Sequence, residues 1–304
     1  MSVGTYSRVF CGKIPRKQSG YAKILMPPLS PDPRTDSGTS VGTFTGNTPD
    51  LSDSAAITAM LLAAGRGERM RPLTDSTPKP LLQVQGKSLL QRHLEALSQS
   101  KTTRVIINTA WLGEQIERAI GASFVPSASG GSNLKIHYSH EGLAFGRALE
   151  TAGGIVRALP DLGPLFWVAA GDVFAPDFCF DPDAVVRFRA STQLAHLWLV
   201  PNPEHNPAGD FGLDAATGLA RNTGPASGQP RYTYSTIGLF RRELFMPPWC
   251  NIPAGNPDGQ SLKLAPLLRA AMDQELVSAS LYTGAWTDVG TPERLALLNR
   301  TDNA

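Results

Sequence analysis

From Ala55 onward, short runs of apolar residues alternate with amphipathic stretches, and this alternation limits the fold classes open to the chain. Ile57–Ala63 is almost continuously apolar and short, the pattern of a strand covered on both faces. Ser88–Ser98 follows with helical spacing. Leu89, Leu90, His93, Leu94 and Leu97 share one face, and Ser88 stands where an N-cap belongs. Arg104–Thr109 reads as a strand, Gly113–Ile120 as a helix and Leu134–Tyr138 as a strand. Glu150–Leu159 reads as a helix and Phe166–Ala170 as another buried strand. Such a βαβα rhythm predicts an α/β architecture, a mostly parallel mixed sheet with helices on both faces. Ligands of such sheets sit beyond the carboxyl ends of the strands, so the loops after Ala63, Tyr138 and Ala170 should meet at one cleft.

The later part is less regular. Phe211–Asn222 reads as a hairpin turning through Asp214–Gly218, and Tyr232–Phe240 and Leu276–Tyr282 read as strands. Leu264–Asp273 is helical. Thr291-Pro292-Glu293 supplies an N-cap and a first-turn proline for a C-terminal helix. Roughly 200–285 are expected to form a lobe on the same sheet within a domain spanning 56–304. There is no internal repeat.

Residues 1–55 differ in kind. They are rich in Ser, Thr, Gly and Pro without sustained periodicity, and are expected to be a disordered extension. A transit peptide or an early start codon are alternative origins for this stretch. Its six Lys and Arg against four Asp account for the whole formal surplus of +2, leaving the rest of the chain neutral. That balance gives no global field for nucleic acid or a membrane, so any anion site must be local. Three cysteines without paired spacing (Cys11, Cys179, Cys250) argue for a reducing compartment, the cytoplasm, and against a disulfide framework or a zinc knuckle.

The first strand ends in Leu62-Ala63-Ala64-Gly65-Arg66-Gly67-Glu68-Arg69-Met70-Arg71-Pro72-Leu73-Thr74, with Pro78-Lys79-Pro80-Leu81 close behind. Glycines let backbone N–H groups approach an anion while arginine and lysine neutralise it, so this turn suits a polyphosphate. It is not a P-loop, because no Gly-Lys-Ser/Thr follows. Nor is it a dinucleotide fingerprint, since Met70 occupies the third glycine position. Asp172, in Ala169-Ala170-Gly171-Asp172, closes a buried strand. A carboxylate there fits either a Mg²⁺ ligand near phosphate oxygens or a turn aspartate bonding its own backbone.

The pattern Gly-x-Gly-x-Arg-Met-Arg-Pro-Leu-Thr followed by Pro-Lys-Pro-Leu resembles the signature of the sugar-1-phosphate nucleotidylyltransferases. These enzymes have a Rossmann-like three-layer α/β/α fold and join a nucleoside triphosphate to a sugar 1-phosphate with release of pyrophosphate. The resemblance implies that Arg69 holds the β and γ phosphates, that Lys79 faces the α phosphate and that Asp172 binds Mg²⁺. Trp286-Thr287-Asp288-Val289-Gly290-Thr291 is similar to the family motif whose aspartate is the second metal ligand, which makes Asp288 the partner of Asp172; the alternative for Asp288 is an Asx-turn. The nucleotide is expected on Leu62, Ala63, Ala64, Gly65 and Gly67, with Thr151 and Gly153 packing on the nucleoside. Glu141 is expected either to read the base edge, uracil or guanine, or to be an exposed loop acid. The sugar side is expected at Asn108, Asp210, Gly238 and Lys263, although a solvated Lys263 is equally compatible with the sequence. Trp111 and Trp286 read as packing residues, and His137, His140, His196 and His205 as structural or exposed.

Asn108–Gly113, Tyr138–Gly142, Gly209–Phe211 and Lys-Leu-Ala-Pro-Leu-Leu-Arg at 263–269 resemble one branch, the uridylyltransferases of N-acetylmuramate 1-phosphate in peptidoglycan recycling. The chain departs from that branch at Leu143–Arg147 and near Val125–Asn133. Guanylyltransferases of mannose 1-phosphate, uridylyl- or thymidylyltransferases of glucose 1-phosphate, and a non-catalytic sugar-nucleotide-binding regulator are the alternatives.

Overall fold

The computed structural model describes residues 57–127 and 130–300; the expected N-terminal extension lies outside them. The strand β1 (Ile57–Leu62) leads through the cationic turn to a one-turn helix α1 (Leu73–Ser76) and a hairpin, β2 (Gln83–Val84) and β3 (Lys87–Ser88). Ser88 then caps α2 (Leu89–Ser98), its hydroxyl accepting from Gln91 N at 3.1 Å. Next come β4 (Thr102–Thr109), α3 (Gly113–Ile120), β5 (Ser123–Phe124), β6 (Leu134–His140), α4 (Glu141–Phe145) and α5 (Glu150–Ala158). After β7 (Leu165–Ala170) and β8 (Val173–Phe174), Asp181 caps α6 (Pro182–Ala190), which leads to β9 (Ala195–Val200). The expected hairpin is β10 (Phe211–Asp214) and β11 (Leu219–Arg221). The chain finishes with β12 (Arg231–Arg241), α7 (Leu264–Asp273), β13 (Val277–Leu281), β14 (Thr287–Asp288) and α8 (Pro292–Arg300).

Ten strands form one mixed sheet in the order β10-β11-β13-β9-β12-β7-β1-β4-β6-β5. The run β7-β1-β4-β6 is parallel, as the βαβα rhythm requires. The later strands join the same sheet because β12 inserts antiparallel between β7 and β9.

The three layers follow from strand alternation. On one face, Met60, Phe166 and Val168 pack with Ile155 and Val156 of α5 and with Leu267 and Leu268 of α7. On the other, Ala59, Leu61, Trp167 and Ala169 pack with Leu90, Leu94 and Leu97 of α2, Ile116 of α3 and Phe188 of α6. A third cluster, Met70, Leu82, Val84, Leu89, Phe174 and Val289, pins the cationic turn to β8 and the segment before α8.

Candidate active site

The turn after β1 is held from inside. Met70 is fully buried, and Gly67 O accepts both Met70 N and Thr74 Oγ1 at 2.8 Å. Gly67 has φ 68°, and a Cβ there would lie 3.1 Å from Thr74 Cγ2 and 3.3 Å from the Lys79 stem, so only glycine fits this bend. The three arginines of the turn have different fates. Arg66 stacks over Trp111 at 3.9 Å, and Trp111 in turn donates its indole N–H to Thr74 O at 2.8 Å. Arg71 pairs with Asp75 at 2.9 Å. Arg69 is exposed and has no hydrogen-bond or ion-pair partner among the described residues. Trp111, read from sequence as packing, is thus a brace for the turn.

Pro78 and Pro80 enclose Lys79 in a 3₁₀ turn, which aims its ammonium at the end of β7. Lys79 Nζ lies 2.5 Å from Asp172 Oδ2, with side-chain exposures of 12% and 35%. The pairing of β8 with β14 places Asp288 opposite Val173, and Val289 N donates to Asp172 O at 3.0 Å. Two acids more than a hundred residues apart are thereby brought to adjoining strands.

Asp288 Oδ2 accepts from Arg294 Nη1 at 2.6 Å. Its Oδ1 lies 2.9 Å from His205 Nε2, yet the approach lacks hydrogen-bond geometry and leaves this buried oxygen unsatisfied. His205, expected to be structural or exposed, stands beside Asp288. No group of three or more His, Cys, Asp or Glu among the described residues could hold a metal by itself. Mg²⁺ does not require one, since it is commonly held by one or two carboxylates plus water and phosphate oxygens. An orphaned buried carboxylate oxygen on Asp288, beside an Asp172 with one oxygen unbonded, fits such an ion.

A cavity of about 350 Å³ opens over the carboxyl ends of these strands, lined by Leu62, Ala63, Ala64, Gly65, Lys79, Asn108, Glu141, Thr151 and Asp172. The loops after β1, β6 and β7 meet there, as expected. Asn108 was expected on the sugar side; it is a buried brace in the wall of this first cavity. Its Oδ1 accepts Ala63 N at 2.8 Å, and its Nδ2 donates to Glu141 Oε1 at 2.7 Å. Glu141 is neither exposed nor free to read a base. It is fully buried, and its second oxygen accepts Leu149 N at 2.7 Å. Burial pushes its carboxyl above the usual range, opposed by the bonds from Asn108 and Leu149 and by the Arg157 charge.

The two glycines of Thr151-Ala152-Gly153-Gly154 serve packing. A Cβ on Gly154 would sit 2.6 Å from Glu141 Oε1 and 3.0 Å from Asn108 Nδ2. Gly153, expected against the nucleoside, instead faces the strap 256–262: a Cβ there would meet Gln260 O at 2.6 Å. Leu262 O accepts Ala152 N and Gly153 N, so the strap closes the start of α5. Asn256, fully buried at the root of the strap, donates to Gly153 O and Gln260 O and accepts Gln260 N. Sequence offers no sign of this beyond a turn-like Asn-Pro-Asp-Gly. The divergent segment 143–147 docks on the same strap, Arg147 bonding Ser261 Oγ and Gly259 O.

A second cavity, of about 370 Å³, shares Leu62, Glu150, Thr151 and Ala170 with the first and extends beneath β12 and α7. Asp210 and Lys263, both expected on the sugar side, line this cavity. The Asp210 carboxylate is already engaged by Tyr234 N at 2.8 Å and by Asn206 Nδ2 at 3.3 Å. Gly238 does not reach this cavity. It is buried within β12 between β7 and β9, where Phe240 and His196 O occupy the space a side chain would need. The neighbouring bulge presents Thr236 to the cavity instead, with a left-handed backbone (φ 64°).

Two linked cavities, the first lined by the paired Lys79 and Asp172, are what a two-substrate phosphate chemistry needs. Residues 58–217 match the nucleotidyl transferase family. Over 243 residues, 78% of this chain and 94% of the relative, the sequence is 46% identical to an N-acetylmuramate alpha-1-phosphate uridylyltransferase of Neisseria meningitidis. The chain belongs to the sugar-1-phosphate nucleotidyltransferases. A protein of the same description from Caulobacter vibrioides is 30% identical over 77% of this chain and 92% of its own length. The fold matches that of a Bacillus anthracis protein assigned as a glucose-1-phosphate thymidylyltransferase, with TM-score 0.65 at 19% identity, covering 81% of this chain and 95% of that one. This nucleotidyltransferase has no helix among its described residues long and apolar enough to cross a membrane.

Proposed function

We propose that the enzyme transfers a uridylyl group from UTP to N-acetylmuramic acid 1-phosphate, forming the UDP-sugar and pyrophosphate in peptidoglycan recycling. The observation that carries this reading is the 46% identity to the Neisseria protein over 94% of that protein's length. Consumption of a cellular nucleoside triphosphate goes with a cytoplasmic location.

The first cavity takes the nucleotide and the second the sugar, so that the sugar phosphate meets the α phosphate at the neck they share. One oxygen of the sugar phosphate, already ionised at neutral pH, attacks the α phosphorus in line. The bond from phosphorus to the β-phosphate oxygen breaks, and pyrophosphate carries away the electron pair. No general base is needed. Lys79 turns from Asp172 to the α phosphate and stabilises charge on its equatorial oxygens, while Arg69 holds the departing pyrophosphate. Asp172 and Asp288 would hold Mg²⁺, which supplies further charge neutralisation at the phosphates. Asn108 and Glu141 fix the Ala63 amide and the loop before α5.

Pyrophosphate release is measured across UTP, GTP, CTP and dTTP against several sugar 1-phosphates with Mg²⁺. Release with UTP and N-acetylmuramic acid 1-phosphate is expected to dominate. Release confined to GTP with mannose 1-phosphate would overturn the substrate pair, and no release with any pair would favour a binding regulator.

A further inference from the structure

Glu150 is the first residue of α5 and lies on the neck shared by the two cavities. Its backbone is left-handed, with φ 61°, a region unfavourable for any residue bearing a Cβ and natural for glycine. Its side chain is exposed and has no hydrogen-bond or ion-pair partner among the described residues. Strain of this kind persists where the surroundings or a ligand require it, and it clusters at ligand clamps.

The second cavity explains the need. A pyranose brings several hydroxyl donors, and much of this cavity's wall is apolar, from Leu62, Val168, Phe211, Leu264 and Leu268. The other lining carboxylate, Asp210, is already bonded to Tyr234 N and Asn206. The Thr236 hydroxyl donates to Ser235 O. Glu150 is therefore the lining carboxylate with its whole acceptor capacity free. A bare anion beside the path of two phosphates repels both unless it is compensated, by the Lys263 and Arg269 cations that line the same cavity and by hydroxyl donors of the sugar.

We propose that Glu150 is a specificity-determining residue that accepts hydrogen bonds from ring hydroxyl or amide donors of the acceptor sugar. This role rests on the assignment of the second cavity to the sugar phosphate. Glu150 selects for sugars with a donor at the matching ring position and contributes little to nucleotide binding.

The test varies the two substrates separately, using the sugar phosphate that releases pyrophosphate most efficiently in the panel above. Glu150→Ala and Glu150→Gly are expected to raise KM for the sugar phosphate by at least about tenfold, the effect of one charge-assisted hydrogen bond, and to leave KM for the nucleotide within about twofold. Glu150→Gly should also melt at a higher temperature than the wild type, because glycine relieves the strained backbone. Sugar 1-phosphates lacking one ring donor at a time supply the decisive comparison. One of them should cost the wild type about tenfold and cost Glu150→Ala nothing further. If Glu150 instead serves only the dipole of α5, the variants melt lower with unchanged KM for the sugar, which overturns the proposal. A rise confined to the nucleotide KM overturns it too. Absence of turnover by the wild type with every pair sinks the cavity assignment itself, and this role with it.

Discussion

Asn108→Ala removes one side chain and breaks two contacts in the wall of the first cavity. The Ala63 amide loses its acceptor at 2.8 Å, and Glu141 Oε1 loses its donor at 2.7 Å. Both groups are buried, with Ala63 2% exposed and Glu141 0%, so neither is readily rescued by solvent. An orphaned buried N–H costs about 1–3 kcal/mol, and an orphaned carboxylate oxygen costs at least as much. The expected loss is about 4 kcal/mol, a large fraction of the roughly 5–15 kcal/mol that keeps a domain folded. Urea unfolding measures it directly. A double-mutant cycle with Glu141→Leu isolates the shared part: with the carboxylate gone, Asn108→Ala should cost at least about 1.5 kcal/mol less. Because the freed Ala63 amide lies in the cavity proposed for the nucleotide, KM for the nucleotide should rise as well. A loss below about 1 kcal/mol, additive with Glu141→Leu and without kinetic effect, would refute the claim that this pair organises the site.

Other perturbations have defined outcomes. Gly153→Ala drives a Cβ to 2.6 Å from Gln260 O and should destabilise the enzyme by about 1–3 kcal/mol, read by thermal melting; a neutral result would contradict the strap's packing on α5. Lys79→Met should lower kcat by roughly 10²–10³-fold with a native circular dichroism spectrum, and near wild-type turnover would remove Lys79 from the chemistry. His196, bonded to Ser278 and Ser280, is held at about 4 by burial and secondarily by the Arg187 charge. Its contribution is thus complete above the unfolded value of 6.5 and declines as pH falls towards 4. After allowance for its partial exposure, this is about 2 kcal/mol. Between pH 7 and 4.5 the wild type should lose about that much more stability than His196→Gln, and parallel losses would contradict a neutral, buried imidazole.

The residues differ in how far sequence alone reveals them. Local signals succeed where the cause is local. The Ser88 cap, the bounds of α3 and α7 and the Pro-Lys-Pro turn are each set by a few neighbouring residues. The start of α6, marked by Asp181 and Pro182, is equally local but lies outside the stretches that the motifs single out. What escapes the sequence is created by tertiary approach. Asp172 meets the Asp288 segment only because β8 pairs with β14. Asn108 is a brace because β1, β4 and α4 converge. Gly153 and Gly154 look like a nucleotide-hugging pair, yet one admits a strap and the other the Asn108–Glu141 bond. Glycine signals close approach without naming what approaches, and a long-range partner leaves no mark on spacing.

The placement of Lys79 carries the most weight, since its ammonium is paired with Asp172 at 2.5 Å. A crystal structure with a non-hydrolysable UTP analogue and Mg²⁺ tests it directly. The expected result has Lys79 on an α-phosphate oxygen and both Asp172 and Asp288 facing the ion. Phosphates bound elsewhere, with the Lys79–Asp172 pair intact, would contradict it.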